Sequence, residues 1–183
     1  MAAGIDLVQI REKKLPAKVL YELTVKAVAI TAASATRLLV NDRADIAAAA
    51  GADGVHLTTT SLPARVVRAA FGDDLLIGVS THSRQEAIDA GEQGADFIVF
   101  GPVFKTISKS ELGNPQGVQQ LRLVCREVKP FPVVALGGVT TANVAACLAA
   151  GAQGVAAIDM FHDVWRLRDV VSEIRENFQR IQA

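Results

Sequence analysis

A glycine-centred repeat constrains this chain more than any other feature of it. AAG-ID-LVQI (2–10), AAG-AD-GVHL (49–57), EQG-AD-FIVF (92–100) and AAG-AQ-GVAA (149–157) are four variants of one pattern. In each, a helix-compatible ending runs into glycine, two turn residues follow, and a β-branched or aliphatic run begins. Glycine suits that place because it adopts the left-handed conformation that closes a helix without a Cβ clash. The repeat therefore reads as helix end, turn, strand, and it cannot be laid on a helical bundle or on a hairpin-connected sheet.

Seven strand candidates follow: 7–11, 38–41, 54–57, 75–80, 97–101, 133–137 and 154–158. Segments of helical period lie between them, among them 16–33, 63–71, 84–93 and 142–150. Ser83 with Glu86 three residues on has the spacing of a capping box, and Ser61 before Leu62-Pro63 marks a second helix start. The repeat falls on alternate strands, so the unit is βαβα, and parallel pairing with both faces covered is required. The natural closed form is a TIM-type (βα)8 barrel. An open doubly wound sheet would want a switch point and one dominant glycine-rich first turn, and neither is visible.

The phase of the repeat gives a further expectation. The chain opens in mid-unit, at the end of a helix, so the barrel is read as lacking its first strand–helix unit. Barrels of this kind usually need at least about 200 residues, whereas this chain has 183. The edges of 7–11 and 154–158 are then expected to lie open or to be covered by N-terminal residues or a partner chain. We read residues 1–183 as a single domain, since no linker, low-complexity stretch or charge block divides them.

Composition excludes several classes of function. The balance of 19 Lys+Arg against 19 Asp+Glu argues against nucleic acid or an anionic membrane as the main partner. No apolar run approaches the ~18 residues of a membrane span. The two cysteines, Cys125 and Cys147, lack metal-ligand spacing and read as buried thiols of a reducing compartment, which predicts a cytoplasmic protein.

In a parallel barrel the chemistry sits at the carboxyl ends of the strands. Those positions hold Gln9, Arg11 and Lys13; Asn41 and Asp42; Thr58 to Ser61; Ser80, Thr81 and His82; residues 101–109; Gly137 and Gly138; and Asp159. Cations, hydroxyls and glycines of this kind suit a phosphate or pyrophosphate. Gln9, Arg11 and Lys13 alternate, so on a strand they share one face, where two cations call for an anion; a strand end fraying into solvent is the alternative. Asp42 is a Mg2+ ligand or, with Asn41, an Asx-type cap. Gly137-Gly138 lets the backbone approach an anion, with Thr140 or Thr141 opening the next helix. The segment 101–117, with Lys105 and Lys109 and several hydroxyls, reads as a flap that closes on an anionic ligand. His56 reads as packed; His82 stands at a strand end, and His162 lies beyond the last strand.

The ordered motifs GIDLVQIREK, LLVNDRADIA, GADGVHL, IGVSTHS, GADFIVFGPVFKTISK, VVALGGV and GVAAI resemble those of the thiamine-phosphate synthase family and its relatives, the TenI-type thiazole tautomerases. The resemblance implies a transferase of thiamine biosynthesis that joins hydroxymethylpyrimidine pyrophosphate to thiazole phosphate and releases pyrophosphate with Mg2+. It implies that Gln9, Arg11 and Lys13 hold the pyrophosphate, with Asn41 and Asp42 at the pyrophosphate–Mg2+ end. Ser80 would contact substrate, Thr106, Ser108 and Lys109 would belong to the closing loop, and Gly138 would bind the thiazole phosphate. Arg11, Lys13 and Lys109 are the expected catalytic cations, and the partners are small phosphorylated substrates, with a homodimer plausible for an incomplete barrel.

Three departures bear on that expectation. Ser61 stands where these synthases usually carry a second Mg2+-binding Asp, which weakens metal binding and favours the tautomerase branch. Pro102 stands where some tautomerases carry a proton-transferring histidine, which favours the synthase. Asp159 replaces a hydroxyl near the thiazole phosphate; at ~4 Å a carboxylate would cost on the order of 4 kcal/mol per unit charge at an effective dielectric near 20. Either Asp159 turns toward Arg166 or Arg168, or that phosphate site works differently. The alternatives to a synthase are a tautomerase using another base such as His82, and a catalytically silent phosphate-binding paralogue.

Overall fold

The computed structural model describes residues 3–106 and 114–182. Strands and helices alternate: β1 (Leu7–Ile10), α1 (Ala17–Thr31), β2 (Arg37–Asn41), α2 (Ala44–Ala50), β3 (Gly54–Leu57), α3 (Ala64–Phe71) and β4 (Leu76–Thr81). There follow α4 (Arg84–Glu92), β5 (Phe97–Phe100), α5 (Gly117–Glu127), β6 (Val133–Leu136), α6 (Val144–Ala149), β7 (Gly154–Ala156) and α7 (Leu167–Gln182). The seven strands stand in chain order. The chain divides into two compact units, Met1–Val79 with Gln93–Asp96, and Ser80–Glu92 with Phe97–Ala183, so β4 begins in one and ends in the other.

In the first unit β1, β2, β3 and β4 pair parallel in succession, with Val8 opposite Leu38, Val40 opposite Val55, and His56 opposite Gly78. Leu38, Val40, Val55, Leu57 and Ile77 are its buried centre. Among the described residues β1 has a ladder only to β2, and Leu7 and Val8, on opposite faces of the strand, are both exposed.

In the second unit the Gly101 N–H donates to the Thr81 carbonyl at the end of β4, and β5, β6 and β7 pair parallel. Ile98, Phe100, Leu121, Val124 and Val133 form its core. α7 is amphipathic and buries Val170 and Val171.

The repeat now has a physical explanation. Gly4, Gly51, Gly94 and Gly151 all have positive φ, between 74° and 104°. After Gly51, the Ala52 N–H reaches the Ala47 carbonyl at 2.9 Å; after Gly151, the Ala152 N–H reaches the Cys147 carbonyl at 3.2 Å. These are the long closing bonds of a Schellman stop, and each buries the small residue that follows the glycine. The next residue, Asp in three of the four variants, ties neighbouring strands together. Asp53 accepts the Leu38 N–H at 2.7 Å, and Asp96 accepts the Ile77 N–H at 2.7 Å. Each carboxylate also holds an arginine, Arg37 and Arg68 respectively.

Two helix starts differ from expectation. Ser61 does not cap α3: its Oγ accepts the Thr58 N–H at 2.7 Å, and Pro63 stands at the cap position. The helix after Gly138 begins at Val144 rather than at Thr140 or Thr141, because Asn143 Oδ1 accepts the Thr140 N–H at 2.8 Å and stitches 140–143 into a turn. The Ser83–Glu86 box is present with a shift. Ser83 Oγ accepts the Glu86 N–H at 3.2 Å, while the Glu86 carboxylate accepts from the His82 N–H at 2.7 Å, one residue before the usual partner.

Candidate active site

The first unit places Gln9 and Asn41 side by side at the carboxyl ends of β1 and β2. The Gln9 Nε2 donates to Asn41 Oδ1 at 3.3 Å, so the two amides orient one another. β1 stops at Ile10, and Arg11 and Lys13 lie beyond it, both exposed. They do not share a buried strand face; the strand end runs out into solvent, because β2 ends opposite and no ladder extends past Ile10. Both cations stand solvated beside the Gln9–Asn41 pair in the chain, at no desolvation cost in the unliganded protein.

Asp42 is held in an unusual conformation. Its φ of 65° makes it the non-glycine residue with positive φ among those described. Its N–H donates to the His56 carbonyl at 2.9 Å, and the Arg43 N–H returns to the Asn41 carbonyl at 2.8 Å, so the backbone pivots about Asp42. Such a conformation is costly for most L-residues and least so for Asp and Asn. Neither Asn41 nor Asp42 caps α2, whose cap position is Arg43 without a side-chain bond. Arg43 is instead paired bidentately with Asp45, at 2.8 and 2.6 Å. The Arg43 hydrogen bond holds the Asp45 carboxyl below its ordinary range against the opposing effect of burial. The cap reading of Asn41-Asp42 is thus set aside, and the exposed Asp42 carboxylate is presented by the pivot.

Among the described residues no group of three or more His, Cys, Asp or Glu side chains stands together as a metal site. Ser61 Oγ is engaged by Thr58, its N–H at 2.7 Å and its hydroxyl at 3.1 Å. Asp42 therefore offers one carboxylate, which fits Mg2+ where substrate oxygens and water complete the six positions. His56 is buried on β3, as expected of a packed residue.

In the second unit the glycine pair after β6 forms a close-fitting cradle. Gly137 and Gly138 have φ of 98° and 62°. A Cβ on Gly137 would stand 2.6 Å from Pro102 Cα, and one on Gly138 would stand 2.5 Å from the Lys105 carbonyl oxygen. Only glycine permits this approach, and without side chains the backbone here is open to close contact with an anion. Asn143 Nδ2 donates to the Gly138 carbonyl at 2.9 Å, pinning the far side. Asn143 escaped the reading of strand-end positions; its signal was the Thr-Thr-Ala-Asn run before an apolar helix.

The connection from 101 to 117 has a stitched base: Gln116 N–H donates to the Pro102 carbonyl at 2.8 Å and Gly117 N–H to the Val103 carbonyl at 3.0 Å. Thr106 lies half-buried beyond that base, while Ser108 and Lys109 fall outside the described residues. Ser80 is half-buried near the end of β4, and the His82 ring contacts the Gly101 carbonyl through Nδ1. Asp159 opens a short 3-10 turn (Asp159–Phe161) after β7 and is exposed. Among the described residues no ion pair joins it to Arg166 or Arg168.

Comparison with known proteins bears on the fold and the family. The family model described as thiamine monophosphate synthase matches residues 1–161. A Geobacter sulfurreducens chain with a provisional thiamine-phosphate synthase name is 52% identical over 158 residues, covering 86% of this chain and 74% of its own. The thiamine-phosphate synthase of Moorella thermoacetica is 40% identical over 182 residues, covering 96% of this chain and 86% of its own. Among solved structures, thiamine phosphate pyrophosphorylase from Pyrococcus furiosus superposes with a TM-score of 0.86 at 31% identity, covering 99% of this chain and 86% of that one. The TIM-type class expected from the repeat accordingly stands, with seven strands among the described residues. With the family model spanning residues 1–161 and these relatives agreeing, the chain belongs to the thiamine monophosphate synthase family.

Proposed function

We propose that this protein is a thiamine-phosphate synthase: pyrophosphate leaves the methylene carbon of hydroxymethylpyrimidine pyrophosphate, and thiazole phosphate takes its place there. The observation that carries the reading is the agreement of family model, curated relatives and a solved structure on this one activity. It favours the synthase over a tautomerase or a silent paralogue, and Pro102, which holds no transferable proton, points the same way.

Within the reading, Arg11 and Lys13 receive the leaving pyrophosphate, and Lys109 from the following loop adds a third cation. The exposure of Arg11 and Lys13 supports this, since a polyanion can exchange water for them without first breaking an internal ion pair. Gln9 and Asn41, preset by their mutual hydrogen bond, would orient pyrophosphate oxygens. Asp42, with those oxygens, would hold Mg2+. Bound there, Mg2+ would neutralise charge that develops on the departing pyrophosphate. Gly138 and its neighbour would seat the thiazole phosphate through backbone N–H groups, while Ser80, Thr106 and Ser108 would contact substrate.

The reading extends to location and assembly. Two buried, unpaired thiols support a reducing cytoplasm, and no helix among the described residues is long and apolar enough to cross a membrane. The open β1 edge supports a homodimer, which sedimentation would test. The central test is pyrophosphate release and thiamine phosphate formation by purified protein with both substrates and Mg2+. Arg11→Ala is expected to abolish release. No turnover by the wild type, or metal-independent isomerisation of the thiazole carboxylate phosphate, would overturn the synthase reading.

A further inference from the structure

His82 follows β4 directly and is fixed by its main chain: its N–H donates to the Glu86 carboxylate at 2.7 Å at the start of α4. The imidazole Nδ1 hydrogen-bonds the carbonyl oxygen of Gly101. A carbonyl only accepts, so Nδ1 carries the proton.

Gly101 is a crowded residue. Its N–H donates to the Thr81 carbonyl at 3.1 Å, and a Cβ there would stand 2.1 Å from the Leu136 carbonyl oxygen. From Gly101 the chain runs along the end of β6. Val103 N–H donates to the Leu136 carbonyl at 2.8 Å and Phe104 N–H to the Gly137 carbonyl at 2.9 Å. Pro102 and Lys105 are the atoms against which Gly137 and Gly138 lie too close to admit a side chain. One wall of the glycine cradle is therefore the backbone of 101–105, and His82 grips the first residue of that wall.

We propose that His82 is the positioning residue of the Gly137-Gly138 phosphate cradle, setting the register of 101–105 against the glycine pair by donating from Nδ1 to the Gly101 carbonyl. The role rests on the synthase reading for the identity of the phosphate, though not for the positioning itself. His82 touches no reacting atom; it acts through Gly101. A register slip of this wall would change the seat of the thiazole phosphate and leave the pyrophosphate-binding residues of the first unit unaffected.

The test compares His82→Leu, which keeps the branched shape without a donor, with His82→Asn, whose Nδ2 stands the same number of bonds from Cα as Nδ1. Amide exchange at Val103 and Phe104 is measured in the unliganded protein, and kcat and both KM values are measured in the complete reaction. His82→Leu is expected to speed exchange at both amides and to raise the KM for thiazole phosphate about 3–10-fold, the effect of one lost hydrogen bond. The KM for the pyrimidine pyrophosphate, held mainly by Arg11 and Lys13 of the first unit, should change by less, and His82→Asn should restore both readouts. Wild-type exchange in His82→Leu, equal loss in the Asn and Leu variants, or a parallel change in both KM values would overturn the proposal. The exchange arm needs no ligand. If it behaves as expected while wild-type protein fails to bind thiazole phosphate, the synthase reading falls and the positioning role stands.

Discussion

Replacing Asp96 by alanine should destabilise the first unit by about 2–4 kcal/mol, a value that follows from its hydrogen-bond partners. The Asp96 carboxylate accepts the Ile77 N–H at 2.7 Å, and Ile77 is itself fully buried. An orphaned buried N–H costs roughly 1–3 kcal/mol. The same oxygen receives Arg68 Nη2 at 2.7 Å, with side-chain exposures of 18% and 37%. Arg68 also donates to the carbonyls of Gly72, Leu75 and Gly94. It therefore keeps three acceptors after the substitution, and losing a half-exposed pair adds only about 0.5–1 kcal/mol. Asp96→Asn retains an acceptor for Ile77 and should cost about 1 kcal/mol. Urea denaturation followed by far-UV circular dichroism gives both values, and amide exchange at Ile77 localises the effect. An Asp96→Ala protein within about 0.5 kcal/mol of wild type, with Ile77 still protected, would refute the assignment of the repeat aspartate to strand tying.

Four other outcomes are expected. Asp42→Asn keeps the left-handed pivot but removes the charge, so it should raise the Mg2+ needed for pyrophosphate binding about tenfold by calorimetry while the urea midpoint hardly moves; Asp42→Ala should add about 1 kcal/mol of strain. Gly138→Ala forces a Cβ to 2.5 Å from the Lys105 carbonyl oxygen, and should weaken thiazole phosphate binding at least ~10-fold with a loss of about 1–3 kcal/mol in stability. Burial tends to raise the Asp53 carboxyl, but the Arg37 guanidinium and the Leu38 N–H outweigh it and hold it below its ordinary value. Its contribution is therefore present above the unfolded pKa of about 3.9 and lost as pH falls through the lower folded value. The stability gap between wild type and Arg37→Gln should accordingly close on acidification below about pH 4, and a gap that widens there would contradict it. Burial pushes Cys125 and Cys147 up to about 11, so iodoacetamide at neutral pH should leave both thiols unmodified until the chain is unfolded; rapid labelling of native protein would refute their burial.

Much of the fold was legible because its signals are local. A left-handed glycine after a helix, a small residue to bury behind it and an aspartate to tie the next strand are needed wherever a helix hands over to a parallel strand. Gly51, Asp53, Gly94, Asp96 and Gly151 answer those needs in linear order, and the strands begin within a residue of their expected starts. Boundaries that depend on distant partners were less legible. The Ser61 hydroxyl serves the Thr58 turn rather than the helix that follows, and the helix after Gly138 starts late because Asn143 captures the Thr140 N–H. Arg11 and Lys13 alternate with Glu12 as a strand would, but a strand ends where its neighbour's ladder ends, and that is a property of β2.

The amino-acid sequence by itself determined the alternation of strands and helices, the parallel order and the family, since these follow from periodicity, glycine conformation and ordered motifs carried along the chain. Only the tertiary structure decided that Asp42 is a pivot rather than a cap, that Gly137-Gly138 lies hard against 102–105, and that His82 reaches Gly101. Those facts join residues 14 to 35 positions apart, or rest on a backbone angle set by such contacts. No local propensity encodes a close approach between segments; packing imposes it when the strands come into register.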